Sequence, residues 1–168
     1  MAVVTTKSST ITNRDAVPQV INDGRVERGA LRSSHGYVTG VNGDSIGSKY
    51  VLASLPSTAM VRAVLLSSGA LTSGAADIGV YRNTRDGGAA VAAGLFGTGV
   101  SVATAQSRVD VTNESTTYTL DKQELPLWQA AGLASDPGST LDIVATLTIA
   151  LTAGGFLGVE VQYTDNGN

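Results

Sequence analysis

The sequence has no cysteine in its 168 residues and only one histidine, His35. Disulfide bonds, thiolate metal sites and a cysteine nucleophile are therefore excluded. A two-histidine zinc site or a facial iron triad needs more histidines, and a catalytic triad needs partners that no motif places around His35. We expect His35 to be a surface or turn residue. We predict a chain without metal, cofactor or enzymatic activity.

Charged and aromatic side chains are also scarce. Charged residues make up 15% of the chain, against about 25% in an ordinary globular protein. Aromatic residues make up 5%, which is few for the platforms on which enzymes bind sugars. A carboxylate pair for glycoside hydrolysis stays open from the sequence alone. Low charge together with 20 glycines is equally consistent with small, flat sheet faces that contact other proteins and with an ordinary β-sandwich of low charge.

No apolar run approaches the roughly 18 to 20 residues of a membrane helix, and the first residues lack the pattern of a secretory signal. We therefore expect a soluble product that is synthesised in a cytoplasm and binds no membrane. At 168 residues the chain suits one domain with a sizeable core.

The net charge of −3 is unevenly distributed. Residues 1–34 carry five basic and three acidic groups, whereas residues 35–168 carry six basic and eleven acidic groups. The acidic body argues against nucleic-acid binding. We interpret 1–34 as an extended arm that lies along its own domain, 35–168, or along a neighbouring protein; the alternative is a disordered tail, against which Val17, Val20 and Ile21 argue. Its candidate partner contacts are Arg14, Val17, Val20, Ile21, Arg25, Arg28 and Arg32.

The strongest pattern lies near the C-terminus. Leucine, isoleucine and alanine occupy alternate positions in 141–151, and leucine, valine and tyrosine do so in 157–163. A period of two indicates strands with one apolar face. Gly154-Gly155 between them supplies the conformations of a tight turn. We therefore predict that the two strands form a β-hairpin at the centre of a β-sandwich.

Further strand candidates precede this pair, separated by turn signals. We predict one helix over 121–131, with Asp121 as its N-cap, Glu124 three residues later and Pro126 either early in the helix or at its end. Residues 91–105 remain open between a helical turn and an irregular strand. About eight strands without internal repeats favour a sandwich of the jelly-roll or Greek-key kind. The other strand candidates are 35–41, 49–55, 59–68, 76–81, 109–112 and 116–120.

Four stretches in order along the chain resemble one family, the jelly-roll capsid cement proteins of tailed bacteriophages. The most specific stretch is Gly-Ala-Ala-Asp-Ile-Gly-Val-Tyr-Arg within 70–82, and the likeness covers about 48–163. The four are Leu-Ala-Ser-Leu-Pro-Ser at 52–57, the stretch at 70–82, Pro-Leu-Trp-Gln-Ala-Ala-Gly-Leu at 126–133 and Leu-Asp-Ile-Val-Ala-Thr-Leu-Thr at 141–148.

The resemblance implies an all-β, jelly-roll sandwich of about eight strands with one short helix. It also implies a structural role: a homodimer on the outer surface of an icosahedral phage head that clamps neighbouring major capsid subunits and stabilises the capsid. No enzyme activity, cofactor or small-molecule substrate is expected for this family. The arm lies outside the likeness. The alternatives are a carbohydrate- or receptor-binding sandwich of a virion fibre or tail, and a small hydrolase.

Overall fold

A computed structural model describes residues 6–27 and 29–165. Over these residues the chain forms eight antiparallel strands, three short α-helices and two single 3₁₀ turns, the latter at 84–86 and 122–124. The helices are α1 (Ser9–Arg14), α2 (Gly24–Glu27) and α3 (Leu127–Ala130). The strands are β1 (Leu31–Gly40), β2 (Lys49–Pro56), β3 (Met60–Ser68), β4 (Ala75–Arg82), β5 (Ala90–Ser101), β6 (Gln106–Asp110), β7 (Thr140–Ile149) and β8 (Gly155–Thr164).

The strands form two four-stranded sheets that pack face to face. One sheet has the order β1-β8-β3-β6 and the other β2-β7-β4-β5. The first strand pairs with the eighth, the second with the seventh, the third with the sixth and the fourth with the fifth. A long antiparallel ribbon rolled around a core gives this pairing, which is that of a jelly roll. The predicted all-β sandwich of eight strands is therefore confirmed.

The core lies between the inner faces of the two sheets. Leu141, Ile143 and Leu147 of β7 are almost completely buried, as the period of two predicts, but the residues between 141 and 145 are buried as well, and Ile149 of the predicted apolar face is exposed. Phe96 and Tyr118 meet edge to face at a ring-centroid distance of 4.9 Å. The Tyr118 hydroxyl donates a hydrogen bond of 2.8 Å to the Val61 carbonyl, so its one polar atom is satisfied inside the core.

The predicted hairpin between β7 and β8 is wrong. Both strands exist and each is central, but they belong to opposite sheets. The chain crosses the sandwich after Leu151, whose N–H donates to the Asp44 carbonyl on another loop. Sequence periodicity identifies which side chains point inward, yet it does not specify which strand is the hydrogen-bonded neighbour.

The continuous helix predicted over 121–131 is also wrong. Leu125 is extended (φ −102°, ψ 150°) before Pro126, because a proline disfavours helical backbone in the residue that precedes it. The segment therefore divides into the 3₁₀ turn at 122–124 and α3. Asp121 makes no capping hydrogen bond. Residues 116–120 contain no strand, and the residues left open around 91–105 belong largely to β5.

The two sheets approach closely where β1 runs beside β2. A Cβ atom on Gly36 would lie 2.0 Å from the Leu52 carbonyl oxygen, so only glycine fits there.

β1 begins at Leu31, so the last four residues assigned to the arm pair with β8. Before β1 the arm is not continuously extended, because it contains α1 and α2.

Candidate functional site

The arm brings most of the predicted contact residues together outside the sandwich. Arg14 ends α1, and Arg25 lies in α2. Val17, Val20 and Ile21 occupy the turn between the two helices. Arg32 lies apart from them, on the exposed edge strand β1. Arg28 lies outside the described residues.

Asn22 holds the turn of the arm in a compact shape. Its side-chain amide donates to the Thr10 carbonyl at 3.1 Å and to Glu27 at 2.9 Å, and its oxygen accepts from the Asn13 amide at 2.8 Å. The backbone N–H of Val20 also donates to the Asn13 carbonyl. These hydrogen bonds join both helices of the arm, because Thr10 and Asn13 belong to α1 and Glu27 to α2.

Arg62 of β3 attaches the arm to the sandwich. Its guanidinium donates to the Arg25 carbonyl at 2.7 Å and to the Gln123 carbonyl at 3.2 Å. The Thr164 hydroxyl at the end of β8 donates to the same Arg25 carbonyl at 3.2 Å. Arg25 in turn donates to the Thr58 carbonyl at 3.4 Å. Arg25, predicted as a partner contact, therefore docks the arm onto its own domain.

The tip of the arm presents apolar side chains to solvent. Val17 is 98% exposed and Ile21 93% exposed. Val20 and Ile21 also line a groove of about 520 Å³ together with Arg14, Gln19 and Glu27. Exposed aliphatic side chains next to one another on a braced loop are typical of a surface that another protein covers.

The charges of the arm are largely paired within it. Asp15 accepts from Lys7 and Arg14, both at 2.8 Å, and Asp23 pairs with Arg25 at 2.7 Å. Arg14 and then Lys7 lower the pKa of Asp15, and Arg25 lowers the pKa of Asp23. Arg32 makes no ion pair with any described residue. Lys7, Arg14 and Arg25 are therefore engaged by acidic residues of the arm itself.

A second surface, which the sequence did not indicate, lies on the outer face of the sheet β1-β8-β3-β6. Gly158 in the middle of β8 lies opposite Tyr37 of β1 on one side and Ser67 of β3 on the other. Phe156 and Glu160 precede and follow Gly158 on the same face of β8. Together these residues surround a shallow cleft of about 270 Å³, which we call the Gly158 cleft.

An ion pair closes one side of the Gly158 cleft. Arg108 reaches from β6 to Glu160, with one guanidinium nitrogen hydrogen-bonded to one carboxylate oxygen and the other 3.3 Å from the second oxygen. Arg108 lowers the pKa of Glu160, with a smaller contribution from Gln162. His35 lies directly opposite Glu160 on β1 and is exposed, as predicted for a surface residue.

Few side chains among residues 6–27 and 29–165 are arranged for metal binding or catalysis. No group of three or more histidine or acidic side chains in these ranges is placed to hold a metal ion. The hydroxyl of Ser57 donates to Asp136 at 2.6 Å, but the only histidine lies on β1 beside Glu160. None of the described helices has the length and apolar character needed to cross a membrane.

Comparisons with known proteins give one likeness of fold. No protein-family model matches the sequence, and no curated protein matches it. A chain from a solved structure described as the cyanophage Pam1 capsid asymmetric unit is similar, with a TM-score of 0.51 and 16% sequence identity. The likeness covers 86% of this chain and 91% of that chain. The two chains therefore share a fold over nearly their whole lengths.

Proposed function

We propose that this protein is a non-enzymatic structural component of a tailed-phage virion, which binds the outside of the icosahedral head and links neighbouring major capsid subunits. The observation that carries the proposal is the shared fold with a chain of a cyanophage capsid over 86% of the sequence. The resemblance of the stretches at 52–57, 70–82, 126–133 and 141–148 to capsid cement proteins supports the same role.

The arm supplies the chemistry of attachment in this proposal. Val17 and Ile21 project from a loop that Asn22 braces and Arg62 docks, so little order has to be gained on binding. Burial of an aliphatic side chain of this size contributes about 1.5 to 3 kcal/mol. Each contact is modest, but a homodimer that spans several shell subunits binds much more tightly through the raised effective concentration of its second site.

Binding of the purified protein to expanded heads that lack it tests the proposal. We expect saturable cosedimentation with the heads for the natural protein. The double variant Val17→Asp/Ile21→Asp should bind about tenfold or more weakly, because two apolar contacts become unfavourable burials of charge. The matched control is Ile46→Asp, which changes another exposed aliphatic residue in the same way, on the loop after β1 and at the end of that strand away from the arm.

The possible outcomes distinguish the proposed cement function from the proposed attachment through the arm. If the natural protein does not cosediment with heads, the cement function is wrong. If it binds and the double variant binds equally well, the function stands and the arm is not the attachment point. If Ile46→Asp alone abolishes binding, the opposite end of the sandwich faces the shell.

A further inference from the structure

The Gly158 cleft is built from side chains that leave a depression between them. Gly158 forms its floor, and Ser67 beside it on β3 is small. A Cβ atom on residue 158 would lie 2.8 Å from both the Gly36 carbonyl oxygen and the Tyr37 Cβ. The floor is therefore bare backbone, and a larger residue has no room there.

Two aromatic side chains flank this floor. Tyr37 is 74% exposed and Phe156 46% exposed, so both rings stand in solvent on the outer face of the sheet. Gly69 lies beside the Phe156 ring, where an added Cβ would make an ordinary van der Waals contact at 3.6 Å. Large exposed apolar surface beside ordered polar groups is a common feature of binding sites.

The polar side of the cleft is held in a fixed geometry. Arg108 has a positive φ of 51°, which is uncommon for a residue other than glycine, and lies where the pairing of β3 with β6 is irregular. Its backbone N–H donates to the Ser67 hydroxyl at 3.0 Å. Unusual backbone conformations of this kind concentrate at functional sites. With this backbone conformation, the Arg108 guanidinium contacts Glu160 from the side of the cleft opposite Tyr37.

The charge of the cleft restricts its ligand. Arg108 and Glu160 neutralise each other, so the site has little preference for an anion or a cation. It still offers nitrogen donors and carboxylate acceptors side by side, next to aromatic rings. A ligand that suits this combination is uncharged, carries adjacent hydroxyl groups that both donate and accept, and has an apolar C–H face. We propose that the Gly158 cleft binds a neutral sugar residue of a surface polysaccharide.

The size of the cleft agrees with one sugar ring. Its volume of about 270 Å³ lies just under the roughly 300 Å³ at which small-molecule pockets begin. The cleft is open along the outer face of the sheet, so a chain can continue beyond the bound ring. One-ring sites of this kind bind weakly, and many copies on one particle compensate through multivalency. The site is separate from the arm and does not depend on the proposed head-binding role.

The inference is tested by titrating the purified protein with neutral oligosaccharides, first on a glycan array and then by nuclear magnetic resonance of the protein. We expect binding of at least one neutral glycan, with shifts centred on Tyr37, Gly158 and Arg108. Tyr37→Ala should weaken binding about tenfold, whereas Tyr37→Phe keeps the ring and most of the affinity. Glu160→Gln should weaken it as well, since the ionised acceptor is lost.

Leu31→Ala is the matched control. Leu31 is 62% exposed on the same face of the same strand as Tyr37, but it does not line the cleft. Its loss should leave glycan binding unchanged. The inference is overturned if no neutral glycan binds, or if binding is insensitive to both Tyr37→Ala and Glu160→Gln. It is also overturned if Tyr37→Ala leaves glycan binding intact and instead abolishes attachment to heads, because the cleft is then a protein contact.

Discussion

Single buried residues show how a low-charge sandwich satisfies its few polar atoms. Tyr118 is fully buried, and burial raises the pKa of its hydroxyl well above the ordinary value for tyrosine. The neutral hydroxyl donates a hydrogen bond to the Val61 carbonyl. A side chain that is aromatic on one side and hydrogen-bonded on the other thus joins the 111–126 segment to β3.

Tyr118→Phe should lower the free energy of unfolding by about 1 kcal/mol, since the Val61 carbonyl loses its side-chain donor. Urea denaturation followed by tryptophan fluorescence measures the change. Tyr37→Phe is the control, because the Tyr37 side chain is mostly exposed. Equal stability of the Tyr118→Phe variant and the natural protein would show that the hydrogen bond contributes nothing.

Asp44 orders the loop between β1 and β2. Its carboxylate accepts from the Tyr50 hydroxyl at 2.5 Å and from the Val41 N–H at 2.9 Å. These donors, Tyr50 first, lower the pKa of Asp44 below 3.8. A lowered carboxyl pKa stabilises the fold above the unfolded value, and the contribution disappears as pH falls through the folded value.

Asp44→Asn should therefore destabilise the protein at pH about 7 and have a smaller effect toward pH about 2, because the advantage of the natural carboxylate is lost as pH falls through the lowered pKa of Asp44. Urea midpoints of both proteins at the two pH values give the comparison. A difference between the proteins that grows on acidification would contradict the role assigned to Asp44.

At the scale of elements, the sequence predicts strands better than it predicts their partners. Strands 59–68 and 76–81 correspond to β3 and β4 within a few residues, because short, largely apolar runs between turn signals mark buried strands. The β7–β8 hairpin fails because a glycine pair permits a turn without requiring one. The 121–131 helix fails because the backbone restriction before Pro126 outweighs the helical pattern.

The arm is the element whose attachment depends most on one residue. Arg62→Ala removes the donors to the Arg25 and Gln123 carbonyls. Hydrogen bonds from a charged group contribute about 1.5 to 3 kcal/mol, so trypsin should cleave after Arg14 and Arg25 about tenfold faster. Mass spectrometry of a digestion time course identifies the sites.

Arg85→Ala provides the control for the arm experiment. Arg85 is an exposed residue of the 84–86 turn whose side chain makes no ion pair with the described residues of the arm, and its loss should leave cleavage of the arm unchanged. If Arg62→Ala and Arg85→Ala are cleaved at the same rate as the natural protein, Arg62 does not hold the arm.

At the scale of the whole molecule, the two surfaces of interest differ in how far sequence predicts them. Val17, Val20 and Ile21 are close together in the chain, so the sequence already shows them as one apolar segment within the arm. The structure shows that all three are exposed. The Gly158 cleft gathers residues 37, 67, 108, 156, 158 and 160 from four strands. No local pattern joins those positions, and only the jelly-roll pairing of β1, β8, β3 and β6 does so.

The pairing of charges within the arm leads to a prediction about attachment. The five basic and three acidic groups of 1–34 suggest, from the sequence alone, that the arm binds an acidic patch on a partner. With Asp15 and Asp23 engaged by arm cations, we expect head binding to change less than about threefold between about 0.05 and 0.5 M salt. Cosedimentation across a salt series measures this, and a steep loss of binding with salt would restore the electrostatic explanation.

The most direct measurement of the central claim is the temperature at which filled heads release their DNA, with and without this protein on the surface. Because a linking protein adds contacts that must break together before the shell opens, decorated heads should release DNA at a clearly higher temperature, and adding the purified protein back to bare heads should restore that value. Equal release temperatures for bare and decorated heads would contradict a stabilising role.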